Sequence, residues 1–194
     1  MTMTAKQTRS ISPEARQAEK SNPELSRHFE ALFLEHWPGV YGLLLRLVGD
    51  HAEAEDLALE AFLRLYQRPS SDDAAFNPGG WLHRVATNLG LNAIRGWKRR
   101  QQYEQAAGRE EIGEGKTAGP AEIFAAEEEQ RRVRQVLSEM NPRQSQLLVL
   151  RHSGMAYRDI AAAMGLSQTS IGPLLLRAET EFEKRYRAAN PEGG

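Results

Sequence analysis

The 194-residue chain contains no cysteine, and this absence excludes several kinds of site. Without thiols there is no disulfide scaffold, no Cys-ligated zinc, no iron–sulfur cluster and no thiol nucleophile. Long apolar runs are missing too, because the apolar clusters at 42–48 and around 147–150 are interrupted by Arg46 and Arg151 and fall far short of the roughly 20 residues of a membrane span. The first 23 residues are polar and lack the apolar core of a signal peptide. We therefore expect a cytoplasmic protein with no membrane insertion.

An excess of charge of one sign is also missing, since 25 Lys and Arg residues face 26 Asp and Glu residues. This balance argues against a uniformly basic coat for nucleic acid, but an average does not say where the charges lie. Residues 81–100 hold five cations and no carboxylate, whereas residues 101–130 hold eight carboxylates and two cations. The distribution of charge therefore bears on function more than its total does.

Apolar periodicity divides the chain into five segments. Residues 1–24 are polar and predict a disordered tail. Residues 25–102 and 122–187 carry apolar side chains every three or four positions, as amphipathic helices do. Residues 103–121, rich in glycine and carboxylates, predict a flexible acidic linker, and residues 188–194 a second tail. Since no run alternates with a period of two, we predict an all-α fold of two small helical domains.

The ends of several helices are marked by their usual residues. Gly49 and Asp50 predict the end of a first helix and the N-cap of a second. Asn77 and Pro78 can begin a third helix, which is expected to end near Gln102. Pro38 is expected to kink or split the first helix.

The residues from Arg158 to Ile171 have the pattern of a helix-turn-helix. Ala161 falls where the two helices would cross, and Gly165 fits the left-handed turn between them. Such a motif presents the start of its second helix to a DNA major groove, here Gln168, Thr169 and Ser170. The same pattern is also compatible with a helical hairpin that binds only protein.

The helix predicted at 81–100 combines three kinds of side chain that suit an unpaired DNA strand. Its cations can follow phosphates, Asn88 and Asn92 lie on one face and can reach base edges, and Trp81 can stack on a base. Without further evidence, the cations of a basic helix more often lie on a face that is simply exposed to solvent. Trp81 and Trp97 also suit a place in the hydrophobic core.

The acidic start of the second helix, residues 53–60, also has two interpretations. It fits a well-capped surface helix, because carboxylates stabilise a helix N-terminus. It also fits a docking face for a partner.

No catalytic constellation accompanies these helices. The string GEGKT at 113–117 resembles the end of a phosphate-binding loop, but the full pattern needs a glycine where Glu110 stands and an apolar strand before it. The five histidines have no His-Glu-x-x-His spacing, and no serine nucleophile elbow is present. We expect neither an enzyme nor a metal site or other cofactor.

Taken in order, these features resemble an extracytoplasmic-function (ECF) sigma factor, the two-domain class of the sigma-70 family. The match runs from about Phe29 to Tyr186. The strings that carry it are GDHAEAEDLALEAFLRLY at 49–66, WLHRVATNLGLNAIRGWKRR at 81–100, LSEMNPRQSQLLVLRHSGMAYRDIAAAMGLS at 137–167 and LLLRAETEF at 174–182. The resemblance implies an alternative sigma factor that binds core RNA polymerase and directs promoter-specific initiation at −35 and −10 elements.

The resemblance implies that residues 25–102 are sigma region 2. Its second helix would dock on the clamp helices of the polymerase β′ subunit through Asp56, Leu59, Glu60, Phe62 and Leu63. Its third helix and the preceding loop would melt the −10 element and hold flipped bases through Phe76, Trp81, Arg84, Asn88, Asn92, Arg95, Lys98 and Arg99.

Residues 122–187 would then be sigma region 4, which reads the −35 duplex and rests on the β flap. The DNA contacts implied there are Arg158, Gln168, Thr169, Ser170 and Arg177. The acidic linker is similar to the segment that threads the positively lined cleft and RNA exit channel of the polymerase. An anti-sigma factor is implied as a further partner.

The predicted recognition helix departs from the family pattern. Family members commonly carry Lys or Arg at the positions of Gly172, Leu174 and Glu179 and Ser at that of Pro173, whereas the single cation here is Arg177. Because each neutralised phosphate contributes about one unit of salt slope, we expect weaker duplex binding. Pro173 further predicts a helix that starts late or bends near Gly172.

Two other functions are weighed against this one. A sigma mimic that sequesters an anti-sigma factor is favoured by the cation-poor recognition helix and disfavoured by the basic, Asn-bearing segment at 81–100. A stand-alone helix-turn-helix regulator would use residues 25–102 as an effector or dimer domain. Transcription with core polymerase distinguishes a sigma factor from a sigma mimic, because a mimic does not start transcription. Competition with the housekeeping sigma factor for core polymerase distinguishes it from a stand-alone regulator, which would not compete.

Overall fold

The structure, a computed structural model, describes residues 23–68, 76–106 and 121–190. Within these ranges it has no strand, and its helices are α1 (Pro23–Val48), α2 (His51–Tyr66), α3 (Pro78–Ala106), α4 (Ala121–Glu139), α5 (Pro142–His152), α6 (Tyr157–Met164) and α7 (Gln168–Ala189). The predicted all-α class is confirmed. Most of the predicted tail at 1–24, most of the predicted linker at 103–121 and the last four residues lie outside the described ranges.

The chain divides at Glu35 into two compact units. The smaller, Met1–Glu35, contains the first turns of α1, where the rings of Phe29 and Phe33 lie 6.5 Å apart. The larger, His36–Gly194, contains the rest of α1 and every other described helix. Within it α3 packs against α2 and also against α4, α5 and α6. Residues 81–100, the basic segment, are therefore in contact with the helices predicted to form the second domain.

Small residues let α2 approach its neighbours closely. Ala54, Ala58 and Ala61 recur at helical spacing and are all fully buried. Around them the apolar faces of α1 and α3 form the core, with the buried residues Val40, Leu43, Leu44, Leu47, Leu82, Val85, Ala86, Leu89, Leu91 and Ile94. The core thus fixes one face of α3 and leaves its polar positions outside.

The predicted ends of the helices are confirmed where capping chemistry marked them. Gly49 has a φ of +78°, and the Asp50 carboxylate accepts a hydrogen bond from the Glu53 backbone N–H at 2.8 Å. Asn77 accepts in the same way from the N–H of Gly80 at 2.9 Å, and Pro78 is the first residue of α3.

The helix bounds depart from the sequence expectations at three points, whereas a kink at Pro38 or a bend near Gly172 stays a prediction. Pro38 does not split α1, and α7 begins at Gln168 rather than late, with Pro173 inside it. Both prolines are exposed, so water can bind the carbonyl that each leaves without a backbone donor. Helix α3 continues past Gln102 to Ala106, since residues 103–107 contain no glycine or proline that would end it.

Gly90 lies where α3 packs on α1, and this close approach gives a test of the fold. A Cβ at Gly90 would lie 2.8 Å from Leu47 Cδ1 and 3.2 Å from Leu44 Cδ2, whereas at Gly96 the nearest atom would be Arg100 Nη1 at 3.7 Å. We expect Gly90→Ala to lower the free energy of unfolding by about 1 kcal/mol through overpacking. The matched variant Gly96→Ala should raise it by about 0.5 kcal/mol through helix propensity. Chemical denaturation measures both, and stabilisation by both variants would contradict the packing of α3 on α1.

Candidate nucleic-acid interface

The outer side of α2 presents apolar residues to solvent. Leu59, Leu63 and Tyr66 are 47 %, 52 % and 55 % exposed and follow one another at helical spacing. We call these three residues the leucine face. Asp56 is exposed beside them, and the half-buried Glu60 accepts a hydrogen bond from Arg64 Nη2 at 2.5 Å.

Phe62, predicted to contact polymerase, is instead a core residue. Its side chain is 2 % exposed, and its ring lies 5.9 Å from that of Trp37. Phe62 is therefore not part of the surface that α2 offers to a partner. Tyr66, which the sequence analysis missed, takes a place on it, and its position seven residues after Leu59 is the signal that could have found it.

The polar side of α3 carries the predicted cations and amides. Asn88, Asn92 and Arg99 are exposed, and Arg84 is half-buried. We call Arg84, Asn88, Asn92 and Arg99 the α3 stripe. Arg84 and Arg99 form no ion pair with any described residue. The stripe is thus open to an anionic ligand.

Two aromatic residues stand at the beginning of α3. The rings of Phe76 and Trp81 lie 6.5 Å apart in an edge-on arrangement, and both side chains are half-buried. Trp97, near the other end of the segment, has a structural partner, since it hydrogen-bonds the carboxylate of Glu53. Partial burial raises the pKa of Glu53, and this hydrogen bond opposes the rise. Trp81 is therefore the better placed of the two tryptophans for a ligand.

The remaining predicted cations of α3 are engaged by other helices. Lys98 Nζ donates to Glu139 Oε1 of α4 at 2.5 Å, and Arg95 Nη2 donates to Ser145 Oγ of α5 at 2.9 Å. The hydrogen bond from Lys98 holds the pKa of Glu139 below its ordinary value of 4.5. We call these two pairs the closing contact. In this conformation each of these two cations has a donor engaged by a neighbouring helix, so each offers less to a DNA phosphate than a free cation would.

The helix-turn-helix has the predicted local geometry. Gly165 adopts the left-handed conformation with a φ of +65°, and the N–H of Leu166 donates to the Ala161 carbonyl at 2.9 Å. Ala161 is 4 % exposed, and Ile160 and Ile171 are fully buried. The turn and its small core are thus as the sequence predicts.

The candidate duplex-reading residues lie on the surface of this motif. Gln168 and Thr169 are exposed and Ser170 is half-buried, with its Oγ 2.5 Å from Ser167 Oγ. Arg177 is exposed, and Arg158 is exposed with its Nε 3.6 Å from the neighbouring Asp159 carboxylate. All five candidates are accessible, but few of them are cations.

The described residues form neither a metal site nor a membrane span. Across residues 23–68, 76–106 and 121–190, no three His, Asp or Glu side chains are grouped so that they could hold a metal ion. In the same part of the chain, no helix is long and apolar enough to cross a membrane.

Comparison with known proteins relates both halves of the chain to one family. The model of Sigma-70 region 2 matches residues 32–101, and that of Sigma-70, region 4 matches residues 130–181. The RNA polymerase sigma-H factor of Pseudomonas aeruginosa is 29 % identical over 167 residues, which are 81 % of this chain and 86 % of that protein.

Two solved structures share the fold. The structure of CnrH in complex with the cytosolic domain of CnrY has a TM-score of 0.52 at 21 % identity, covering 89 % of this chain and 94 % of that one. The sigma factor RpoE in complex with the anti-sigma factor NepR from Bartonella quintana has a TM-score of 0.50 at 19 % identity, covering 83 % of this chain and 98 % of that one.

Proposed function

Because this chain belongs to the extracytoplasmic-function branch of the sigma-70 family and is an alternative sigma factor, we propose that α3 unpairs the −10 element of its promoters. Residues 25–102 then act as region 2 and residues 122–187 as region 4. The protein works in the cytoplasm and supplies binding energy, while the polymerase performs all of the chemistry.

The observation that carries this proposal is the α3 stripe with Trp81 at its start. Arg84 and Arg99 can neutralise phosphates, and the exposed amides of Asn88 and Asn92 can donate to and accept from base edges. Extruding a base from the duplex costs a few kcal/mol, which stacking on an aromatic ring can offset. Because residues 81–100 contain no carboxylate, nothing on this segment repels the DNA backbone.

The leucine face is the surface that we propose for core polymerase. Exposed apolar groups flanked by the carboxylates of Asp56 and Glu60 fit an apolar patch ringed by cations on a partner helix. We assign the β′ clamp helices as that partner. Competition for core polymerase with the housekeeping sigma factor tests this assignment, since a stand-alone helix-turn-helix regulator would not compete.

The helix-turn-helix is proposed to read the −35 element through Gln168, Thr169 and Ser170. Only Arg158 and Arg177 among the candidates there can neutralise phosphates, so this half contributes little affinity by itself. We infer that it occupies the −35 duplex when contact with the β flap holds it there.

An anti-sigma factor is a further proposed partner, as NepR is for RpoE. In the larger unit an apolar groove of about 410 Å³ is lined by Leu47, Leu137, Val149 and Phe182, with Arg134 among its polar residues. These features suit an amphipathic helix with acidic residues along one edge. Hydroxyl-radical footprinting should show protection of Val149 and Phe182 when the anti-sigma factor binds.

Removing the ring of Trp81 should separate promoter opening from polymerase binding. Because stacking on an unpaired base contributes about 1–3 kcal/mol, we expect Trp81→Ala to reduce open-complex formation about tenfold or more, with polymerase affinity changed by less than about twofold. Permanganate footprinting measures opening, and fluorescence anisotropy measures the affinity. Trp81→Phe is the control and should retain most of the opening. Equal loss of both activities in Trp81→Ala would mean that the ring serves the core.

A further inference from the structure

Three helices from the second half of the chain, α4, α5 and α6, pack along α3. At the beginning of α3, Trp81 and Arg84 share a cavity of about 200 Å³ with Asp159 and Ala163 of α6. The first helix of the helix-turn-helix therefore stands opposite the ring that we propose to stack on an unpaired base.

The contact with α5 falls within the α3 stripe. At about 100° per residue, Arg95 lies about 20° around α3 from Arg84. Along the helix axis Arg95 lies between Asn92 and Arg99. Its guanidinium donates to the Oγ of Ser145, a residue of α5 that is fully buried. The exposed residues of the stripe can be reached singly, but a strand that follows the whole stripe has to pass the position that α5 occupies.

The same contact includes an apolar side chain. Leu91 lies within about 40° of both Arg95 and Lys98 around α3, and it is 1 % exposed. Because Arg95 reaches α5 and Lys98 reaches α4, these two helices contribute to the burial of Leu91. Separating the second half of the chain from α3 would therefore expose apolar surface and break two polar contacts. Opening needs a compensating interaction elsewhere.

The surface proposed for core polymerase stays accessible in this arrangement. The three residues of the leucine face are each about half exposed. Gln168 and Thr169, at the start of α7, are exposed as well. The chain thus presents its polymerase surface while the DNA side of α3 is obstructed.

We propose that α4, α5 and α6 form an intramolecular cover over α3, and that core polymerase must displace this cover before the −10 strand can bind. The inference rests on the proposed role of α3 at the −10 strand and adds an order of events to it. Polymerase binds the leucine face first, the second half of the chain then leaves α3 for the β flap, and the strand binds last. The flap can drive this change because it offers contacts to the open state that the closed state cannot make.

A reversible cross-link tests the cover. Because the chain has no cysteine, Lys98→Cys with Glu139→Cys places two thiols at the closing contact and nowhere else. A bismaleimide with a disulfide spacer joins them and a reductant separates them again, so one protein is measured in both states. Each state is mixed with core polymerase and titrated with a fluorescent single strand that carries the non-template −10 sequence of a promoter mapped by run-off transcription. We expect the cross-linked protein to bind this strand at least about tenfold more weakly than the cleaved protein.

A second cross-linked protein controls for the chemistry. Glu183→Cys with Arg187→Cys puts the same linker between two exposed positions of α7, where it joins no second helix. This protein should bind the strand equally before and after cleavage. The cross-linked Lys98→Cys, Glu139→Cys protein should still compete for core polymerase within about tenfold of its cleaved form, because the leucine face stays exposed.

Two outcomes would overturn the proposal. If the cross-linked and cleaved forms of Lys98→Cys, Glu139→Cys bind the strand equally, the second half of the chain does not obstruct α3. If cross-linking abolishes competition for core polymerase, the closed chain does not present its polymerase surface. Failure of the proposed function looks different, since wild-type holoenzyme would then not retain the strand at all.

Discussion

Replacing Leu59 and Leu63 together by glutamate should weaken binding to core RNA polymerase about 100-fold while leaving the fold intact. Each buried leucine contributes about 1.5–3 kcal/mol to an interface, and a carboxylate in its place would have to be desolvated against the partner. Both side chains are about half exposed in the free protein, so the substitutions bury no charge within the chain itself. Competition with labelled housekeeping sigma factor measures the affinity, and circular dichroism the helical content.

The matched control is Leu34→Glu, which makes the same chemical change at a leucine that is 69 % exposed on α1. It should leave polymerase affinity within about twofold of wild type, as surface changes outside an interface do. Undiminished affinity in the Leu59→Glu, Leu63→Glu protein would show that the leucine face does not contact core polymerase. A fall in helical content would show that these leucines belong to the core.

Reversing the charge of Glu139 should raise the affinity of the free protein for single-stranded −10 DNA about tenfold. In the closing contact the Glu139 carboxylate holds Lys98 at 2.5 Å, and a lysine there would repel it. Separation of α4 from α3 would then free both Lys98 and Arg95 for phosphates. A tenfold change corresponds to about 1.4 kcal/mol, which is reasonable for exchanging a partly exposed attraction for a repulsion.

The added positive charge must be controlled for. Glu183→Lys makes the same change at an exposed site on α7, where among the described residues Glu183 pairs only with Arg187. We expect it to raise DNA affinity by no more than about twofold, because an exposed charge far from the strand is largely screened. Equal gains in both variants would mean that net charge, rather than release of the closing contact, drives the effect.

The closing contact should also depend on pH. Lys98 lowers the pKa of Glu139, so the ionised carboxylate stabilises the contact above its ordinary pKa of 4.5. This stabilisation is lost as the pH falls through the lowered pKa of the closed form. A fluorophore pair on α3 and α4 should therefore report closure at neutral pH and separation in acid below about pH 4.5, and Glu139→Gln should abolish that step.

Local chemistry made much of the fold predictable. Asp50, Asn77 and Gly165 mark helix ends because a cap or a left-handed turn requires those residue types whatever else surrounds them. The length of α3 was underestimated because its last turns carry no apolar face. Pro173 does not delay the start of α7, because a proline that faces water leaves only one carbonyl to be solvated.

The candidate site was predictable only in part, because tertiary contacts decide which side chains are free. Phe62 and Leu63 are adjacent and both apolar, and only packing against Trp37 shows that the first is buried. Lys98 and Glu139 lie 41 positions apart, so no local pattern relates them. Arg68 lies just before the loop that precedes α3, and the fold places it against Phe76 and Trp81, which no local pattern reveals.

Run-off transcription shows directly whether the chain directs initiation at promoters. Purified chain is added to core polymerase on fragments of genomic DNA, with core polymerase alone as the reference. We expect transcripts with discrete start sites that depend on the chain and that fall sharply with the Leu59→Glu, Leu63→Glu protein. The absence of promoter-specific initiation from every genomic template would contradict it.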